Sequence, residues 1–348
     1  MSLHGGDRYG KKGMLDFSEN VNPLGLPDSV KKALCSSIED FAYYPDPFCR
    51  DLKAALSQAE RIPAEWICFG NGAADLIYRA AFALKPKKAL LPAPTFSEYE
   101  RALNGVGCQC SFHFLKESEE FRFTDRILEE IQPDLDWLVL CSPNNPTGWT
   151  VGQERLIRIA QKCLDCGVVL LLDECFLPFV ENPEKETLKN ELGIFPNVLL
   201  LGAFTKIYGM AGLRLGWLLC SSKKTLACLE QYAPPWNVSS PAQIAGTAAL
   251  QDREYLARSR HLVKMERQRL FAALQELGAT LYGSQADYLF FQWEHYPDLD
   301  QYLENHGILI RPCRNYRGLG NSFYRIGIKT PDKNQCLLEA LQKIAKGI

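Results

Sequence analysis

Short apolar runs alternate with segments of helical periodicity throughout residues 65 to 220. The runs are Trp66–Phe69, Ala89–Leu91, Cys110–Phe114, Trp137–Cys141, Val168–Leu172, Val198–Leu201 and Leu215–Cys220. Strands that alternate with helices form βαβ units, whose strands lie parallel in a sheet that helices cover on both faces. The alternation therefore predicts an α/β fold with a large, mostly parallel sheet.

Glycines and polar residues follow the ends of several of these predicted strands. Gly70, Asn145, Asp173 and Lys206 all occupy such positions. In open α/β sheets, ligands bind beyond the carboxyl ends of the strands, and parallel strands bring those ends to one edge. We therefore predict that these residues contribute to a single site.

The chain after residue 236 has a different organisation. A long helical stretch runs from about residue 241 to 277 with a predicted break near Asp252, and shorter strands and helices follow it. This order predicts a small α+β C-terminal domain over residues 236–348. Residues 41–235 would form the large domain, and residues 1–40 an N-terminal segment that joins the small domain at the mouth of the site.

Composition excludes several classes of partner. The formal net charge of −2 gives no basic excess, which argues against nucleic acid or an anionic membrane surface. The apolar runs are far shorter than the ~20 residues that span a bilayer, and we expect no membrane association. Thirteen cysteines are scattered singly, which is typical of small buried hydrophobes in a reducing cytoplasm. Cys163 and Cys166 have the spacing of a metal or redox pair, but no second pair or nearby histidine completes it, so we expect no metal.

The pair Thr205-Lys206 ends an apolar run, and Arg214 follows eight residues later among glycines. A lysine at a strand end can form an imine with an aldehyde cofactor, while a nearby arginine holds the phosphate of that cofactor. Lysines and arginines near glycines are more often plain surface residues that flank a loop. The pair therefore indicates a cofactor site only if other parts of the chain complete it.

Other candidate residues each have a functional and a structural interpretation. Asp173 follows an apolar strand, where its carboxylate either caps a helix or pairs with a protonated pyridine nitrogen. Asn145 is either a turn residue or a donor to a phenolic oxygen, and Phe96 either packs or stacks on a planar ring. Arg325 lies mid-strand and binds either a ligand anion or an internal carboxylate.

The order and spacing of these motifs resemble those of the fold-type I pyridoxal-phosphate enzymes in the class I/II aminotransferase group. The resemblance covers nearly the whole chain and rests on Gly70-Asn71-Gly72, Asn144-Asn145-Pro146-Thr147-Gly148, Asp173-Glu174, Thr205-Lys206, Arg214 and Arg325. It implies pyridoxal 5′-phosphate as cofactor, and a homodimer with the active site at the subunit interface.

The resemblance also implies a role for each matching residue. Lys206 resembles the Schiff-base lysine, Asp173 the partner of the pyridinium nitrogen, and Arg325 the arginine that binds the substrate carboxylate. Asn145 resembles the donor to the cofactor O3′ atom, and Phe96 the residue that stacks on its ring. The implied phosphate contacts are Gly72, Ala73, Ala74, Thr205, Arg214 and, from the neighbouring subunit, Tyr44.

Two branches of this family fit the length of the chain: histidinol-phosphate aminotransferases and threonine-phosphate decarboxylases. Phe176 replaces a tyrosine that is usual in the aminotransferases, and Trp236 and the stretch 307–319 resemble the decarboxylases. Ala203 is a mismatch, because a serine that contacts the phosphate is usual there. The resemblance favours decarboxylation of L-threonine O-3-phosphate to (R)-1-amino-2-propanol O-2-phosphate, as in cobalamin biosynthesis, with glutamate-dependent transamination of histidinol phosphate as the alternative.

A decarboxylase of this kind implies two anchors for a phosphorylated amino acid. The candidate substrate-binding residues are Arg325, Arg311, Asn20 and His4, with Arg314 and Lys329 as further candidates. A cofactor-binding regulator without catalysis is a third alternative. We consider it the least favoured, because no basic helix-turn-helix stretch precedes residue 40.

Overall fold

The computed structural model describes residues 5–7 and 9–346. The strands are β1 Leu15–Asp16, β2 Ile67–Gly70, β3 Lys88–Ala93, β4 Gln109–Phe114, β5 Trp137–Cys141, β6 Val169–Asp173, β7 Val198–Ala203, β8 Gly216–Leu219, β9 Thr280–Tyr282, β10 Tyr288–Gln292, β11 Ile308–Leu309, β12 Arg311–Pro312 and β13 Phe323–Gly327. The helices are α1 Asp28–Ser36, α2 Arg50–Glu60, α3 Ala73–Leu84, α4 Glu98–Asn104, α5 Ile127–Glu130, α6 Gln153–Cys166, α7 Phe204–Ile207, α8 Lys223–Gln231, α9 Ser240–Gln251, α10 Arg253–Glu276, α11 Leu299–Asn305 and α12 Pro331–Ala345.

The large sheet has the order β2-β8-β7-β6-β5-β3-β4. The strands from β7 to β4 run parallel, and only the pairs that include β8 are antiparallel. Every residue of β2, β5 and β7 is buried, as both faces of the sheet are covered. The predicted α/β architecture is thus confirmed.

The helices on this sheet bury one side each. In α6 the buried residues Leu156, Ile159, Ala160 and Cys163 recur every three or four positions, which is the spacing of one helix face. The helix ends at Gly167, whose φ of 73° suits the left-handed conformation that glycine adopts without strain. Apolar periodicity and a glycine stop signal therefore account for this element.

Some predicted helix bounds are wrong, although the elements exist. The sequence pattern that begins at Pro27-Asp28 predicts a helix up to about residue 38, but the helix ends at Ser36 and a separate 3₁₀ turn occupies Ile38–Ala42. The pattern over residues 124–131 also predicts a helix, which the structure limits to Ile127–Glu130. Pro133 restricts the backbone before it, so the chain leaves the helical conformation early. By contrast, the break near Asp252 is confirmed, because its Oδ1 atom accepts a 3.0 Å bond from the Tyr255 N–H that starts α10.

A small antiparallel sheet of order β12-β13-β10-β9 forms the second layer system, with α10 and α12 packed beside it. The predicted α+β character of this part is confirmed, whereas the exact boundaries at residues 40 and 235 stay predictions. Within residues 5–7 and 9–346, helices that are both long and apolar enough to cross a membrane are absent.

Residues 15–25 connect the two sheets. β1 pairs with β11 in parallel, and the Gly327 N–H donates a 2.8 Å bond to the Phe17 carbonyl. Further along, the Asn22 N–H donates a 3.0 Å bond to the carbonyl of Lys206, and the Asn22 Nδ2 atom donates to the Ile207 carbonyl at 2.6 Å. The N-terminal segment is therefore bonded both to the small sheet and to the backbone that carries Lys206.

A substitution at one glycine of the large sheet tests the packing between β7 and β8. Gly202 lies opposite Trp217 across the β7–β8 pair, and a Cβ atom added to Gly202 would overlap the Trp217 ring. We expect Gly202→Ala to lower the free energy of unfolding by about 1–3 kcal/mol, the usual cost of overpacking. Urea unfolding of the full chain measures it.

Gly212→Ala is the matched control, because a Cβ at that exposed position would meet no atom within 4 Å. A Gly202→Ala variant as stable as Gly212→Ala would contradict the observed β7–β8 packing.

Candidate active site

The carboxyl ends of the central strands meet at one edge, as the sequence predicts. Cys141 at the end of β5 pairs with Asp173 at the end of β6, and Asp173 pairs with Leu201 near the end of β7. A cavity of about 180 Å³ lies at this edge. Its lining includes eight predicted site residues, namely Ala73, Ala74, Phe96, Asn145, Asp173, Thr205, Lys206 and Arg214.

One end of the cavity is built to hold an anion. Gly72 precedes α3 with a φ of 84°, and a Cβ there would lie 2.5 Å from the Arg214 Nη2 atom. The glycine thus lets the guanidinium approach the N-terminus of α3, where backbone N–H groups carry partial positive charge. Arg214 is exposed, and among the described residues its guanidinium donates only to the Ala211 carbonyl, from Nη1 at 3.2 Å. The guanidinium is therefore available to a phosphate.

Asp173 supplies a buried carboxylate in the middle of the cavity. Its Oδ2 atom accepts a 2.7 Å bond from the Tyr99 hydroxyl, and its Oδ1 atom accepts a 2.9 Å bond from the Cys175 N–H. Burial and the neighbouring carboxylate raise the pKa of Tyr99 well above its ordinary value, which keeps that hydroxyl a donor. A buried carboxylate held by two neutral donors fits a cationic partner such as a protonated ring nitrogen.

Asn145 is oriented by two donors from the small-domain side. Its Oδ1 atom accepts bonds from Arg325 Nη1 at 2.5 Å and from the Tyr316 hydroxyl at 3.2 Å. With the oxygen occupied in this way, the amide nitrogen is the group that can donate to a ligand. The geometry therefore suits donation to a phenolic oxygen.

Lys206 lies in the short helix α7 directly after β7. Burial lowers the pKa of its amine below the ordinary value; Arg325 acts in the same direction, while the carboxylate of Asp287 raises it. The Lys206 Nζ atom lies 5.5 Å from the centroid of the Phe176 ring. An amine with a lowered pKa has a larger neutral fraction, which is the form that attacks an aldehyde.

Arg325 and Asn20 lie at the small-sheet side of the site and keep polar atoms without partners. Arg325 donates to Asn145 and, at 2.8 Å, to the Ser18 carbonyl, yet its buried Nε atom has no hydrogen-bond partner within the described residues. Both side-chain polar atoms of buried Asn20 are also unpartnered in that part of the chain. Buried polar groups left in this state indicate a ligand that completes them.

The remaining predicted residues lie elsewhere. Arg311 lies in a neighbouring cavity of about 420 Å³, which shares Phe96 with the first one. Tyr44 is 79% exposed and stacks on Trp236 at a centroid distance of 4.4 Å, outside both cavities. His4 lies outside the described residues.

Sequence reasoning missed several residues of this site. Tyr99 bonds Asp173, Tyr316 bonds Asn145, and the Tyr288 hydroxyl donates a 2.7 Å bond to the Asn144 carbonyl. Tyr99 and Tyr316 each stand between polar or charged neighbours, and Tyr288 opens an apolar strand, so the local sequence does not mark any of them as a site residue. Only the fold shows that the hydroxyls reach residues far away in sequence.

Comparisons with known proteins agree with this geometry. Residues 12–341 match the family described as aminotransferase class I and II. The chain belongs to that aminotransferase family. Like the family, it is a pyridoxal-phosphate-dependent enzyme, and the site fits the cofactor: an amine for the aldehyde, a buried carboxylate for the ring nitrogen, and a helix N-terminus with Arg214 for the phosphate.

Relatives of this aminotransferase-family chain include two kinds of enzyme. Threonine-phosphate decarboxylase of Salmonella typhimurium is 39% identical over 337 residues, which cover 96% of this chain and 92% of that protein. Histidinol-phosphate aminotransferase 1 of Cupriavidus pinatubonensis is 31% identical over 340 residues, with coverages of 96% and 89%. The solved histidinol-phosphate aminotransferase of Sinorhizobium meliloti in complex with pyridoxal-5′-phosphate has a TM-score of 0.89 at 22% identity, with coverages of 99% and 96%, and shares the fold.

A lysine substitution tests the site. We expect wild-type protein with pyridoxal phosphate to show the visible absorption band of a lysine imine, and Lys206→Ala to lose that band, because the variant lacks the amine that forms the imine. Absorption spectra after removal of excess cofactor measure the effect. Lys224→Ala, which changes an exposed lysine of α8, should keep the band. A Lys206→Ala variant with the wild-type band would place the cofactor elsewhere.

Proposed function

We propose that the enzyme decarboxylates L-threonine O-3-phosphate to (R)-1-amino-2-propanol O-2-phosphate. The observation that carries the proposal is Phe176, whose ring lies 5.5 Å from the Lys206 amine at a position where the aminotransferase branch usually has tyrosine. Phe176 packs edge-on against Tyr288 with centroids 5.1 Å apart, so this wall of the cavity offers an apolar ring beside the lysine. The 39% identity to a threonine-phosphate decarboxylase also supports it.

The proposed roles of the cofactor-binding residues follow from their contacts. When bound, pyridoxal phosphate supplies an aldehyde that takes up the substrate amine and a ring that withdraws electrons from Cα. Asp173, fixed by Tyr99 and the Cys175 N–H, would hold the positive charge of the ring nitrogen. Arg214 and the N-terminus of α3 would hold the phosphate; Ala203 has no hydroxyl to share that task.

The choice of reaction depends on how the substrate is oriented. A decarboxylase must expose the bond from Cα to the carboxylate for cleavage, whereas a transaminase exposes the Cα–H bond to the lysine. Anchoring a substrate at two points fixes one orientation, and such positioning is a large part of catalysis. A phosphorylated amino acid offers two anions for this purpose.

We assign one anchor to Arg325 with Asn20, whose buried side chains keep polar atoms without a hydrogen-bond partner among the described residues. The other anchor is Arg311 in the adjoining cavity, where its Nη2 atom donates a 3.0 Å bond to Asn315 Oδ1. Arg311 and Arg325 lie opposite each other in the antiparallel β12–β13 pair and therefore on one face of the sheet, so one substrate can engage both anchors. Arg314 is less suited, because two bonds of 2.9 and 3.0 Å tie its guanidinium to Asp300.

We also propose a homodimer. The stacked pair Tyr44 and Trp236 is largely exposed, and Tyr43 and Phe48 expose aromatic rings in the same stretch of chain. A cluster of exposed aromatic residues is typical of an interaction surface. A second copy of the chain packed on it would cover these rings and bring Tyr44 toward the cofactor phosphate of the partner.

An assay of the purified enzyme decides between the two branches. With L-threonine O-3-phosphate we expect CO₂ release with formation of the amino alcohol phosphate and no keto acid, because the two proposed anchors would present the carboxylate for cleavage. Mass spectrometry of the products measures the outcome. Glutamate-dependent conversion of histidinol phosphate, without CO₂ release from the phosphorylated threonine, would overturn the proposal in favour of the aminotransferase.

A further inference from the structure

The turn before β10 buries a carboxylate next to the active site. Asp287 is 0% exposed, and within the described residues neither of its Oδ atoms has a hydrogen-bond partner. Its backbone is anchored, since the Asp287 carbonyl accepts a 2.8 Å bond from the Ile328 N–H. Burying a carboxylate without a partner is costly. We therefore expect a nearby cation that the negative charge of Asp287 stabilises.

The backbone bond to Ile328 and the β10–β13 pairing place this carboxylate beside the strand end that carries Arg325 and Lys329, and these two cations together with Lys206 oppose the rise of its pKa. Two of them have other partners. Arg325 is bonded to Asn145 and the Ser18 carbonyl, and Lys329 donates a 3.1 Å bond to the Glu19 carbonyl. The Lys206 amine forms no hydrogen bond to the described part of the chain, which leaves Asp287 as the carboxylate with the largest effect on it.

We propose that Asp287 is a positioning residue that holds the Lys206 amine in its ammonium form once substrate is bound, and thereby favours decarboxylation over removal of the Cα proton. The inference deepens the proposed function and rests on it. Transamination needs a neutral Lys206 to accept the Cα proton, and an ammonium group cannot accept one.

The same charge state serves the decarboxylation. The bond between Cα and the carboxylate carbon breaks, CO₂ leaves, and the electron pair remains with the Cα side. The ammonium group of Lys206 then donates a proton to form the new Cα–H bond, and the neutral amine regains a proton from solvent. Asp287 remains ionised throughout, so it contributes charge and not a proton.

The groups that face the pair come from several elements. Burial lowers the pKa of Lys206, and Arg325 lowers it further, whereas Asp287, Cys175 and Glu19 raise it. Burial raises the pKa of Asp287 to about 6, and Lys206, Lys329 and Arg325 oppose that rise. The negative charge of Asp287 also opposes the burial that lowers the pKa of Arg267, and it raises the pKa of Tyr288.

The sign of the pH dependence follows from these shifts. Asp287 carries its charge above about pH 6 and loses it below that pH. Lys206 therefore has its counter-charge in the neutral range, where this charge opposes the lowering of the Lys206 pKa by burial and by Arg325.

The first experiment measures the amine directly in the full chain without cofactor. Trace acetylation with acetic anhydride across pH, with mass spectrometry of the peptide that contains Lys206, gives the pKa of this amine. We expect Asp287→Asn to lower that pKa by about one unit or more. Asp287→Ser, a second variant without the charge, should give the same direction. An unchanged pKa in the folded Asp287 variants would overturn the inference.

Glu266→Gln is the matched control. It also removes a buried carboxylate, at a residue that is 7% exposed, but Glu266 lies in α10 and is bonded to Asn334. This variant should leave the pKa of Lys206 as in the wild type, whatever its effect on stability. Comparison of Glu266→Gln with Asp287→Asn thus separates the effect of losing any buried carboxylate from the effect of losing Asp287.

The second experiment adds pyridoxal phosphate and L-threonine O-3-phosphate. We expect Asp287→Asn to increase the amount of aminated cofactor formed per CO₂ released by about tenfold, because one unit of amine pKa is a tenfold change in the neutral fraction. If wild-type enzyme releases no CO₂, the proposed function fails, while the acetylation result still decides whether Asp287 controls Lys206. If wild-type enzyme releases CO₂ and the ratio in Asp287→Asn is unchanged, the inference fails alone.

Discussion

The parallel arrangement of β5, β6 and β7 is the constraint on which the site depends. Their in-register pairing places Cys141, Asp173 and Leu201 side by side, so the residues that follow each strand enter one small volume. Strands that met this edge in alternating directions would scatter Asn145, Asp173 and Lys206 over opposite ends of the sheet.

Sequence patterns predicted the sheet and this edge because both depend on local periodicity and on a general rule for parallel strands. Eight predicted residues indeed line one cavity. Tyr99 escaped prediction, because its partner Asp173 lies 74 positions away and its charged neighbours Glu98 and Glu100 do not indicate a buried position. Asp287 escaped for a related reason: in sequence it resembles a turn residue, and only the fold removes it from water and from every donor among the described residues.

The charged side chains of the site suit different parts of one ligand. Asp173 faces neutral donors and so is suited to a cationic ring, while Arg214 and Arg325 face positions suited to anions. At Lys206 two effects oppose each other, since burial lowers the pKa of the amine and Asp287 raises it. Within one family fold, a change in such a balance alters which proton moves without altering the residues that hold the cofactor.

The bonds from Asn22 to the backbone at Lys206 and Ile207 have a consequence for how this protein can be recombined with its relatives. Residues 15–25 are bonded to the small sheet through Phe17, and β1 pairs with β11 in a separate two-stranded sheet. The same segment also supports the turn that carries the lysine. In a chimera made by a single crossover between the two sheets, residues 15–25 would come from a different parent than either the small sheet or the turn that carries Lys206. Exchange of the small domain therefore requires two crossovers, so that the N-terminal strand and the C-terminal part come from the same parent. Both parents must also have asparagine at the position of Asn22.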